Sequence, residues 1–107
     1  MQMNEKVRQA LSNRLRRRGL EELIKKKRGT AYTIAKCLDV PEASVSNHLD
    51  VLKTAGLVTG PKIDTSEGRL KKIYQTSNKA EQLLKEFWID EIKSAPHSIQ
   101  NLYKKQN

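Results

Sequence analysis

Asn47 is the side chain in this chain best equipped to read a base, and it stands in the run Glu42-Ala43-Ser44-Val45-Ser46-Asn47 at the start of a helical pattern. A carboxamide offers a donor and an acceptor that can pair with adenine N6 and N7, whereas the Ser44 and Ser46 hydroxyls bond bases or phosphates and discriminate less. Glu42 can accept from cytosine, or it can simply complement the helix dipole from the first turn. Ser44 and Asn47 also fit plain solvated helix surface. Asp50, on the same side, would repel phosphate and is expected beyond the contact zone. A second group is basic. Lys62, Arg69, Lys71 and Lys72 flank the turn Thr65-Ser66-Glu67-Gly68, where they suit a minor groove or backbone phosphates, with an Arg near the tip. Lysines on edge strands also block aggregation, which gives this hairpin an ordinary solvated alternative. Arg14, Arg16, Arg17 and Arg18 form the densest basic run and can equally touch flanking nucleic acid or solvate a helix.

These side chains need elements to hold them. Ile34, Ala35 and Leu38 mark one short amphipathic helix, and Val45, Leu49 and Leu52, at i, i+4 and i+7, mark a second. The tight turn Asp39-Val40-Pro41 separates them, and Gly56 ends the second. Leu57 to Asp64 reads as a strand that Pro61 limits to an edge or a bend. Arg69 to Thr76 returns as its partner, with Ile73, Tyr74 and Thr76 supplying β-branched and aromatic residues. Upstream, Val7, Ala10, Leu11 and Leu15 lie at helical spacing from about Asn4, and Leu20, Leu23 and Ile24 continue the stripe past Gly19 to Lys25-Lys26-Lys27-Arg28-Gly29, where Gly29 is expected as the C-cap. Downstream, Asn78 with Glu81 has capping-box spacing, and Ser77 is an equally good cap. The helix that follows carries Ala80, Leu83, Leu84, Phe87, Trp88 and Ile92, a wider apolar face than a small core needs. Pro96 breaks it, and Ile99, Leu102 and Tyr103 allow a short further helix before a polar end.

The run Thr33-Ile34-Ala35, Leu38, Val40, Pro41 to Leu49, Leu52 and Ala55-Gly56-Leu57-Val58 resembles the helix-turn-helix of ArsR/MarR-type winged-helix regulators. Gly68-Arg69, Lys71-Lys72, Tyr74 and Thr76-Ser77 resemble that family's wing and its exit into the next helix, so the likeness covers roughly residues 15 to 90. It implies a mainly α fold with a small β-hairpin: a winged helix-turn-helix over about 31–55, a wing over about 57–76, flanking helices over about 4–28 and 78–93, and a tail over 94–107, all in one domain of 107 residues. It further implies a sequence-specific regulator, most often a repressor that occludes a promoter, binding double-stranded DNA as a homodimer. Dimer contacts are expected from Val7 and Leu11 of the first helix and from Leu84, Phe87, Trp88 and Ile92 of the last.

Composition bounds these expectations independently. Lys and Arg number 21 against 12 Asp and Glu, a formal net charge of +9 that favours polyanions. A surface rich in Lys and Glu for thermal stability accounts for many charges but not for their imbalance. One Cys excludes an intrachain disulfide, no apolar run approaches the roughly 20 residues that span a bilayer, and Met1 to Arg18 has no apolar signal-like core. The expectation is a soluble cytoplasmic, nucleoid-associated protein without cofactor or membrane contact. Cys37 and His48 fall beside apolar positions and are expected as a small buried thiol and a packed imidazole. With His97 in the tail they are too few and too scattered for a metal site, and no phosphate loop, nucleophile–base pair or HExxH motif suggests an enzyme. Two other functions stay open: a sequence-tolerant chromatin or replication accessory protein, and a winged helix used for protein contacts.

Overall fold

The computed structural model describes residues 3–94. Five helices and three strands follow in the order α1 (Glu5–Leu11), α2 (Arg14–Lys26), β1 (Arg28–Gly29), α3 (Ala31–Leu38), α4 (Glu42–Thr54), β2 (Val58–Asp64), β3 (Lys71–Thr76) and α5 (Ala80–Ser94). The fold is a winged helix: helices α1 to α4 pack together, and the β2–β3 hairpin projects as the wing. The short helix read over Ile99, Leu102 and Tyr103 lies outside the described residues.

The single helix expected over about 4–28 is two helices. Ser12 Oγ donates to Gln9 O at 2.7 Å, and the Asn13 side chain accepts from Arg16 N at 2.9 Å, capping α2. Short polar side chains that bond nearby backbone compete with helix continuation, so the apolar stripe runs on across Ser12-Asn13 while the backbone turns. The expected C-cap is also displaced. Lys27, at φ 75°, takes the cap position, and Gly29 enters β1, opposite Tyr74 of β3. A Cβ on Gly29 would stand 3.4 Å from both Leu23 and Thr33 Oγ1, which is why a glycine suits this crowded step.

Thr30 and Thr33 form a reciprocal capping box at the start of α3, with both bonds at 3.1 Å. Asp39, in the left-handed conformation at φ 56°, ends that helix, and its turn hands the chain to α4. Val45, Leu49 and Leu52 bury the inner face of α4; Gly56, at φ 81°, then ends the helix, with Leu57 N donating to Leu52 O at 2.9 Å.

The sheet is antiparallel in the order β1-β3-β2. Its register slips between Thr59 and Lys62, around a cis Gly60–Pro61 bond, so Pro61 makes the bend that its missing N–H requires. Neither Ser77 nor Asn78 caps α5 through its side chain. Ser77 Oγ is buried without a hydrogen-bond partner, and Ala80 N instead donates to Ser77 O at 3.2 Å. Leu11, Leu20, Leu23, Ile34, Leu49, Leu52, Leu57 and Val58 are the largest fully buried side chains, and each contributes on the order of 1.5–3 kcal/mol by leaving water. Five of the eight come from α2 to α4 facing each other, so the same packing that stabilises the chain fixes the orientation of α4.

Candidate nucleic-acid interface

With Val45, Leu49 and Leu52 facing inward, the 3.6-residue period sets Ala43 and Asn47 on the opposite, exposed arc of α4. Glu42 and Ser46 turn toward the wing, and Ser44 lies half-buried on the other flank, the side of His48. The Asn47 side chain makes no hydrogen bond to the described residues, so its amide stays available for an external partner.

Between α4 and the wing runs an open groove of about 740 Å³. Thr30, Tyr32, Glu42, Ser46 and Asp50 form one wall, while Arg69, Leu70, Lys71, Lys72 and Tyr74 form the other. The fold therefore brings Glu42 and Ser46 to three of the four wing cations expected from sequence, Arg69, Lys71 and Lys72, but not to Lys62. Asp50 lines the same groove and, after burial, is the second cause that raises the Tyr74 phenol above its ordinary value. Lys62, Arg69 and Lys72 are exposed, but Lys71 is held by Glu67, Nζ to Oε2 2.7 Å. Asp64 folds the wing turn by accepting from Ser66 N at 2.8 Å, a bond that holds its carboxyl below the usual value. Ile63 and Leu70 are exposed beside the wing cations.

The Arg14–Arg18 run divides. Arg14 and Arg18 face solvent. Arg16 donates to Gln9 O (3.3 Å), Ala10 O (3.1 Å) and His48 Nδ1 (3.3 Å), and Arg17 donates to Leu11 O. Arg17 also lies over the Phe87 and Trp88 rings, 5.1 and 5.0 Å from their centroids. Two of the four cations thus satisfy the orphan carbonyls at the end of α1, because the Ser12-Asn13 break leaves those groups without helical partners.

Two further expectations change. Cys37 is exposed, with Lys26 Nζ 2.7 Å from its sulfur, because it sits one step off the Ile34–Leu38 stripe. Val7, Leu11, Leu84 and Phe87, expected at a subunit contact, are buried in the chain's own core. Helix α1 packs on α2 and α4 and α5 packs on α1, which leaves Trp88 at 39% exposure, Ile89 at 49%, and Ile92 half-buried as the outward apolar face of α5. His48 is packed and hydrogen-bonded, as its position suggested. Sequence reasoning missed Tyr32, 54% exposed on α3 at the edge of the groove, with Lys36 Nζ 5.4 Å from its ring centre. The available signal was an aromatic and a cation at i and i+4, off the buried stripe. Among the described residues no group of three or more His, Cys, Asp or Glu is placed to hold a metal, and no helix is long and apolar enough to cross a membrane.

A helix-turn-helix carrying a β-hairpin wing is the architecture these elements define, and residues 11–61 match the family described as a helix-turn-helix domain. The chain is similar to a transcriptional regulator homologue protein from Pyrococcus horikoshii OT3, with TM-score 0.71 and 21% identity over 88% of each chain. It is similar to a possible transcriptional regulator for arsenical resistance (TM-score 0.63, 21% identity, 96% of this chain and 97% of that one). It is also similar to a MepR mutant of S. aureus bound to an oligodeoxyribonucleotide (TM-score 0.62, 22% identity, 95% and 82%). A comparison with curated protein sequences gives no significant match. The winged helix-turn-helix expected from the motifs is the fold this chain has.

Proposed function

We propose that this protein is a transcriptional regulator that reads duplex DNA in the cytoplasm as a homodimer and represses by occluding a promoter. One observation carries the reading: the exposed arc of α4, with Asn47 unpartnered at its centre, stands beside a groove whose far wall is the cationic wing. A helix of 13 residues fits the major groove, and its N-terminal turns carry Glu42, Ala43, Ser44, Ser46 and Asn47. Lys62, Arg69, Lys71 and Lys72 then lie where backbone phosphates or a minor groove would pass. A protein of this fold, the MepR mutant, is bound to an oligodeoxyribonucleotide, and the net charge of +9 supports a polyanionic partner. Dimerisation falls to Trp88, Ile89 and Ile92, since the other apolar residues of α5 are already covered.

The test is competition between a duplex selected by this protein from a randomised library and unselected DNA. A preference above about 10³ supports a regulator. A ratio near unity replaces it with a sequence-tolerant accessory role, and no binding to either leaves a domain used for protein contacts.

A further inference from the structure

Arg16 of α2 and His48 of α4 form the one side-chain hydrogen bond between these two helices among the described residues. The Arg16 guanidinium is anchored to the last carbonyls of α1, Gln9 O and Ala10 O, and its Nε–H donates across to Nδ1 of His48 on α4 at 3.3 Å. Both residues are partly buried. Because Nδ1 accepts, the ring must be neutral and must carry its proton on Nε2. A planar guanidinium fork can hold this arrangement and a lysine ammonium cannot, since three acceptors in fixed directions are met by one rigid group.

We propose that Arg16 is a positioning residue for the recognition helix, locking the rotation of α4 through His48, so that protonation of His48 releases the lock and weakens sequence-selective DNA binding. The inference rests on the DNA-reading function proposed above for its consequence, but not for its mechanism. His48 lies one residue after Asn47 and two after Ser46, so any rotation of α4 at His48 changes the aim of the base-reading arc. A protonated ring has no acceptor at Nδ1 and places a second cation against Arg16. Burial, and then the Arg16 charge, hold the imidazole below its ordinary value of 6.5, so the lock is closed at neutral pH and opens in acid.

No other charge facing His48 reverses this sign. From α2 the facing charge is Arg16 itself; Leu15 and Gly19 of α2 and Ile34 and Leu38 of α3 line the rest of its surroundings. Lys6 of α1 and Asp50 of α4 line the open groove on the outer side of Arg16, where solvent screens them. The direction is distinctive because acid adds positive charge, which by itself strengthens binding to phosphates.

The experiment has two independent readings. In the DNA-free protein, NMR titration should show the backbone amides of Glu42–Asn47 moving with the midpoint of the His48 ring in wild type and staying still in His48→Gln, whose amide keeps an acceptor but gains no charge. On DNA, affinity for a duplex selected from a randomised library should fall about tenfold between about pH 7.5 and about pH 5, the size of one charge-assisted hydrogen bond, while affinity for unselected duplex does not fall. His48→Gln should flatten the first profile, and Arg16→Lys should lower selected affinity at neutral pH without lowering unselected affinity. Amides that ignore the His48 midpoint, or an equal acid loss in His48→Gln, overturn the lock. Amides that follow it, with no preference for any selected duplex, overturn the regulator reading and leave the lock standing.

Discussion

The salt dependence of DNA binding separates cations that face a ligand from cations that hold the fold. On the groove side, Lys62, Arg69 and Lys72 are exposed and ion-pair with no described residue, and Lys36 lies beside Tyr32 at the groove's edge. Lys71 is engaged by Glu67, an exposed pair worth about 0–1 kcal/mol and therefore able to open when phosphate competes. Three to four phosphate contacts per subunit, each releasing about 0.9 counterion, give a slope of log K against log salt of roughly −5 to −7 for a dimer. Arg69→Ala should make the slope shallower by about 2, one contact from each subunit. Arg17→Ala should leave it unchanged, because Arg17 is committed to Leu11 O and to the Phe87 and Trp88 rings. Fluorescence anisotropy of a labelled duplex, titrated from about 50 to 300 mM salt at protein concentrations above the dimer's dissociation, measures all three. A slope shallower than about −2, or an equal change in Arg17→Ala and Arg69→Ala, refutes the assignment of charges to faces.

Asn47→Ala should cost roughly 1–3 kcal/mol on a selected duplex and little on unselected DNA, as read by competition; equal losses would make Asn47 a phosphate contact. Trp88→Glu should yield a monomer by analytical ultracentrifugation with helical content retained by circular dichroism, and an unchanged dimer would move the interface elsewhere. Gly60→Ala should lower thermal stability by about 2 kcal/mol, because φ is +111° there and the new Cβ would stand 2.8 Å from Ile73 O; an unaltered melting curve would contradict that geometry. The Asp64 carboxyl is held below its ordinary 3.8, so its contribution to the wing turn is present above that value and is lost as pH falls through the lower folded value. Wing amide exchange should rise over that acid window in wild type, and Asp64→Asn, which keeps the acceptor, should show no such rise.

The sequence made α4 and the wing legible because each is encoded locally: Val45, Leu49 and Leu52 repeat at helical spacing before Gly56, and Gly68 closes a turn between two strand patterns. What it hid depends on partners distant in the chain. The stripe from Val7 to Ile24 is continuous, so nothing apolar marks the break at Ser12-Asn13, where side-chain bonds to backbone decide. β1 is two residues long and exists only because β3 has an open edge there. Cys37 and Tyr32 lie off the Ile34–Leu38 stripe, but where the buried arc of α3 ends is set by its packing on α2 and α4. The apolar face of α5 was visible as too wide, but its division is tertiary: α1 and α2 claim Leu84 and Phe87, and only the remainder can meet a partner. For the residues proposed to read bases, sequence supplied the list, and the fold added that Glu42 and Ser46 face the wing whereas Asn47 faces outward.

The basic run Arg14–Arg18 shows most clearly why composition alone misassigns charge. Counted as cations, its four arginines belong to any polyanion; placed in the structure, Arg16 and Arg17 bind the end of α1 and diverge, one to α4 through His48 and the other to α5 through Phe87 and Trp88. Adjacent residues on one helical turn therefore anchor both the element proposed to read bases and the element proposed to meet a second subunit. A subunit that covers Trp88 has to accommodate the Arg17 guanidinium lying 5.0 Å over its ring, either keeping it as part of the contact or displacing it into solvent. Displacement would strip Leu11 O of its donor and loosen the same α1 terminus that Arg16 grips, so an interface that retains the arginine is the one compatible with a fixed recognition helix.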